Sequence, residues 1–230
     1  MTNQRIHEAL DATGRTPSDQ DLDTLSRQLN RPVRDVVEIG ARCVCGNPLV
    51  ATTAPRLSSG IPFPTTYYLT HPVITAAVSR MEAAGEMNQM NERLATDTGL
   101  AAAYREAHES YLANRQAIGE RSGTGAVPEI DGVSAGGMPT RVKCLHVLVG
   151  HSLAAGPGVN PLGDEALTGI AQWWSKDKCY CSGAWDTEGE APKRDRSRHV
   201  KTQGVDPEAK RAERARKRAE AQQQATEGNQ

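Results

Sequence analysis

Lys143, Cys144, His146 and His151 crowd into nine positions of a 230-residue chain. A thiol and two imidazoles are zinc ligands, and they are also the parts of a nucleophile–base pair. Their geometry depends on the element that carries them. Pro139 suits the first turn of a helix, and no other Pro interrupts the chain before Gly156-Pro157-Gly158, so the spacing predicts a helix over 140–155. On that helix Cys144, Val147, Leu148 and His151 share one face, and His146 lies about 200° round from Cys144. Cys144 and His151 can then share an ion if a third ligand comes from elsewhere. His146 can join them only if the helix starts later. The ordinary alternative is a small core cysteine and a hydrogen-bonded, half-buried histidine, which is the commoner role for such a pair.

Other segments offer partners. Cys43 and Cys45 on a strand place both thiols on one face, and Cys179 and Cys181 can do the same. Together they would make a four-thiolate zinc site. The spacing is C-x-C, though, where common structural zinc sites use C-x₂-C, and the second pair falls where the sequence turns polar. This set therefore ranks below a metal site drawn from Cys43, His71, Cys144, His146 and His151, with zinc as the metal expected. Arg42, Arg56, Arg141 and Lys143, with His146, come from three turn-flanked segments. They would form an anion pocket for phosphate or carboxylate if the fold gathers them; the commoner outcome is four separate surface charges. His146 is expected to face the loop over 55–64, towards Arg56. No GK[ST] ending is present.

The positioning elements read as α+β: a small antiparallel or mixed sheet in the N-terminal half, covered by four to five helices. Ser18 can cap a helix carrying Leu22, Leu25 and Leu29. Strands are expected over 34–43 and 49–53, joined by a turn at Cys45–Pro48, with a third over 65–69. Helices follow over 72–84 and 88–118, the latter breaking near 96–99, and over 164–174 with Asp164 as cap. The Gly-rich stretch 119–137 reads as a mobile loop. Residues 1–16 read as a flexible lead, 17–176 as one domain and 177–230 as a disordered polar and basic tail. The net charge of −1 points to no nucleic-acid partner, beyond weak contact through the basic stretch near Lys210–Arg218. An odd five cysteines without an apolar leader suit reduced thiols in a cytoplasm. No run is long and apolar enough to span a membrane.

TAPRL at 53–57, PFPTTYYLT at 62–70, KCLH at 143–146 and NPLGDEA at 160–166 together resemble the DUF501 family, over roughly residues 35–171. The resemblance implies an intracellular bacterial protein, best represented in actinobacteria. It implies genes beside a septum-formation initiator and an exopolyphosphatase-like enzyme, and hence cell-division proteins as partners. That neighbourhood is association and carries no mechanism. Where the family often has LTCP, this chain has His71 in place of the Cys, which keeps a ligand. Where distant members have KCLHAH, Leu148 removes one. The leading expectation is a zinc-type metal-binding domain, extending to hydrolysis at a cationic pocket. The rival is a non-enzymatic scaffold of the division machinery.

Overall fold

In the computed structural model, which describes residues 15–189 and Ala191, a capping box opens α1 (Asp19–Gln28). The Ser18 hydroxyl accepts the Asp21 N–H, and the Asp21 carboxylate accepts the Ser18 N–H at 2.9 Å. β1 (Val36–Arg42) and β2 (Pro48–Thr53) form the expected antiparallel hairpin, and β3 (Tyr67–Leu69) adds to the other edge of β2. All of β2 is buried, as its central position requires. Leu25 of α1 packs with Ile39 and Ala51 on the sheet. The larger core holds Val50, Tyr67 and Leu69 with the helices that follow. The fold is α+β, a three-stranded antiparallel sheet in the N-terminal half with six α-helices among the described residues.

Pro72 starts α2 (Pro72–Ala83), and Gly85, at φ +84°, makes the left-handed step into α3 (Glu86–Thr96). The predicted break falls at Asp97, whose carboxylate accepts the Leu100 N–H at 2.9 Å and caps α4 (Thr98–Arg121). α5 (Leu145–Ala155) lies close on β3: a Cβ at Gly150 would stand 3.1 Å from the Tyr67 carbonyl oxygen. α6 (Pro161–Gly169) closes the series.

Four expectations are corrected. The central helix starts at Leu145, not 140. Val142 is held instead by Asn91, whose side chain accepts its N–H at 2.8 Å and donates to its carbonyl at 3.0 Å, while the Lys143 N–H goes to the Gly136 carbonyl at 2.7 Å. The stretch 119–137 is fastened to α4, with a 3₁₀ turn at Pro128–Ile130. Buried Arg115 donates to the Val133 carbonyl and, at 2.7 Å, to that of Ile130, and His108 meets Ser134 at 2.9 Å. The cap of α6 is Asn160, which accepts the Gly163 N–H, whereas Asp164 accepts that of Gly158. The helix ends at Gly169 because turns take over at Ile170.

The domain also runs past 177. Tyr180, Cys181 and Trp185 pack on the main core, and Arg27 donates to the Glu188 and Gly189 carbonyls. Residues 1–14 of the expected lead over 1–16, and residues 190 and 192–230 of the expected tail over 177–230, lie outside the described residues. No described helix is long and apolar enough to cross a membrane.

Candidate metal centre

The hairpin turn sets up the first cluster. The Cys43 N–H donates to the Asn47 carbonyl and the Gly46 N–H to the Cys43 carbonyl, both at 2.8 Å, so Cys43 opens a tight turn and Cys45 lies within it. Cys179 and Cys181 arrive from the far end of the domain, and the Cys181 N–H points to the Cys179 sulfur at 3.5 Å. All four sulfurs lie within 4.8 Å of one another, with Cys45 and Cys181 3.4 Å apart. Thiolates around one tetrahedral zinc, at about 2.3 Å each, stand about 3.8 Å apart. The four are free thiols.

Their electrostatics are uneven. Burial raises Cys43, and burial with the neighbouring thiols raises Cys181. At Cys45 the effect of burial is outweighed by hydrogen bonds from the Asn47 backbone and the other thiols, which hold it at about 7. Four thiolates so close repel one another, and a bound dication offsets that repulsion. His71 adjoins the set without belonging to it. It is fully buried, with Nε2 3.5 Å from the Cys181 sulfur and its ring edge-on to Trp185. Burial holds its pKa down at about 4, so the ring is neutral.

The second cluster is built where α5 begins. Cys144 is the N-cap of α5 and makes no side-chain cap bond. His146 Nδ1 lies 3.9 Å from the Cys144 sulfur and 3.1 Å from Glu82 Oε1, which also accepts the Leu145 N–H at 2.7 Å. His146 Nε2 faces the Thr75 carbonyl and the Ser79 hydroxyl, each at 3.2 Å. The thiol of Cys144 raises the histidine most; burial opposes this and the Glu82 carboxylate adds to it, leaving a pKa of about 9. Glu82, on α2, carried no signal in the sequence beyond being one of many acidic residues.

Placement differs from expectation for the other candidates. His151 is not joined to Cys144. It stacks on Tyr67, meets the edge of Tyr111 and sits 3.3 Å from the Asn160 side-chain nitrogen, fully buried. Burial takes its pKa to about 4. His146 turns to α2 rather than to 55–64, because the late helix start puts it beside Glu82. Of the cations, Arg42 binds both oxygens of Asp21, at 2.6 and 2.9 Å, and Arg56 binds Glu129 at 2.7 Å. These are separate ion pairs on separate elements, while Arg141 and Lys143 are exposed. Cys43 is the one expected ligand found in the four-sulfur set. Cys45, Cys179 and Cys181 carried the weaker sequence signal, two C-x-C pairs each beside a turn.

No curated protein and no solved structure matches the chain. A family model described as "Protein of unknown function (DUF501)" matches residues 39–168, more than half of the chain. Cys43, Cys45 and the whole second cluster fall inside that span, and Cys179 and Cys181 fall beyond it. The chain belongs to the DUF501 family.

Proposed function

We propose that this protein is a zinc-binding domain whose metal, held by Cys43, Cys45, Cys179 and Cys181, is structural. One observation carries the reading: two sulfurs from a hairpin turn and two from a segment some 136 residues later converge within 4.8 Å. All-sulfur donors favour zinc over hard cations. A closed four-thiolate set leaves no position for water, so this centre does not perform hydrolysis. Its task is to fasten the segment over 179–189 onto the β1–β2 turn, seating Trp185 against His71. His71 Nε2 lies 3.5 Å from the Cys181 sulfur, and with Cys181 bound as a thiolate it would donate its N–H and orient that ligand from outside the coordination shell.

Elemental analysis of untagged protein tests this. One equivalent of zinc is expected, falling well below one in a Cys179→Ser/Cys181→Ser double variant. Metal well below one equivalent in the wild type, with the four thiols freely alkylated in the folded protein, overturns it.

A further inference from the structure

Cys144 and His146 line a cavity of about 610 Å³ between α1, β3, α2 and the start of α5, and Glu82 meets the His146 ring from beside it. Its other walls are mostly apolar, with Leu29, Tyr68, Pro72, Ala76 and Val147 among them. Thr75 also lines it, and its hydroxyl oxygen is buried without a hydrogen-bond partner.

The acceptors around His146 fix its protonation. The Thr75 carbonyl can only accept, so Nε2 carries a proton. Nδ1 faces the Glu82 oxygen that also accepts the Leu145 N–H, and the ring's pKa, raised to about 9, keeps a proton there as well. The ring is an imidazolium beside the Cys144 sulfur. That sulfur also stands at a helix N-terminus, where the first-turn N–H groups of His146 and Val147 have no intrahelical partner. A metal ion at this cluster would have to displace the proton on Nδ1 and compete with the Leu145 N–H for Glu82.

We propose that Cys144 is the nucleophile and His146 the acid–base partner of an acyl-transfer site, taking esters or thioesters whose acyl chain is apolar. Glu82 is a positioning residue. The Cys144 thiolate attacks the carbonyl carbon; the S–C bond forms and the π pair moves to oxygen, which the free first-turn N–H groups can stabilise. The intermediate collapses, and the bond to the alkoxide or thiolate leaving group breaks. The leaving group takes the Nδ1 proton. Water then attacks the acyl-cysteine, giving its proton to the now neutral His146, and the thiolate is expelled. The sum is ester plus water giving carboxylic acid plus alcohol, with no change of oxidation state. The apolar walls accommodate the chain.

The test uses full-length protein with p-nitrophenyl octanoate and p-nitrophenyl acetate. A nitrophenolate burst near one equivalent is expected, faster for octanoate, with the acyl mass on the Cys144 peptide. Cys144→Ser should abolish the adduct and leave the melting temperature and zinc content unchanged. His146→Gln should slow acylation on the order of a hundredfold. Glu82→Gln should move the pH profile of Cys144 alkylation, since Glu82 and Cys144 are the ionisable groups facing the ring. An adduct absent from Cys144 overturns the proposal. So does equal reactivity of Cys144 in the wild type and His146→Gln, or loss of a metal equivalent in Cys144→Ser. None of these outcomes depends on whether the four-cysteine centre holds zinc.

Discussion

Two cysteine clusters stand on this one domain, and they are built in opposite ways. Around Cys181 four sulfurs face one another, and the nearest imidazole is neutral and fully buried. Around Cys144 a single sulfur faces a cationic imidazole, a carboxylate and an apolar cavity. Thiolates crowded together need a cation to neutralise them, which gives a centre that binds metal and is chemically quiet. A lone thiolate neutralised by a histidine keeps its lone pair free for attack. Which neighbours a thiol has, more than how buried it is, separates a structural sulfur from a reactive one.

Metal removal should break the comparison most strongly. Structural zinc in small domains contributes about 10–16 kcal/mol of apparent binding energy, and part of that here serves to hold 179–189 in place. A chelator should lower the melting temperature by about 10 °C, at roughly 2–4 °C per kcal/mol for a domain of this size. The same treatment should leave Cys144 alkylation unchanged. A chelator that slows alkylation of Cys144 would merge the two sites into one.

His71→Ala should come next. It removes the donor to the Cys181 sulfur and opens a cavity beside Trp185. Outer-shell partners of this kind change metal affinity by about 10–100-fold, measurable by competition with a chromophoric chelator. Unaltered zinc affinity would mean that His71 acts by packing alone.

The pH dependence of stability sharpens the contrast from the other cluster. His146 is raised to about 9 in the folded chain against an unfolded value near 6.5. Its contribution, roughly 2 kcal/mol, is therefore complete below pH 6.5 and is lost as pH rises through 9. His151 has the opposite sign. Held at about 4, it stays neutral in the fold while the unfolded chain protonates, so stability falls as pH drops from 6.5 towards 4. Denaturant titrations across pH 4–10 should show both limbs, and His146→Gln should flatten the alkaline one alone.

How much of this was legible depended on sequence distance. The Ser18 cap, the β1–β2 hairpin, the start at Pro72 and the break at Asp97 are settled by residues within a few positions of one another, and all were readable. The start of α5 was not, because Asn91, some 51 residues away, takes both backbone groups of Val142. That one non-local clamp moved the helix start past Cys144, separated Cys144 from His151 and brought it to His146. The C-x-C pairs were visible as pairs. Their convergence was not, since nothing local at Cys179 signals that the chain returns to the hairpin. Arg42 and Arg56 looked available because their carboxylate partners, Asp21 and Glu129, lie 21 and 73 residues distant.

The smallest expected effect lies at the edge of the strap. Between Trp185 and Gly189 the described contacts to the body of the domain are Arg27 donating to the Glu188 carbonyl at 3.2 Å and to that of Gly189 at 2.7 Å, both exposed. Hydrogen bonds open to water exchange protein partners for solvent at little net gain, about 1 kcal/mol at most for the pair. Arg27 also keeps its ion pair with Asp23 at 2.7 Å when those carbonyls are gone. Truncation after Trp185 should therefore lower the melting temperature by no more than about 2–4 °C and leave one equivalent of zinc in place. Truncation after Lys178 removes Cys179, Cys181 and Trp185 together, and it should match or exceed the loss on chelation. If the first truncation already costs as much as the second, the strap is held from beyond Trp185 and the four sulfurs are not its anchor.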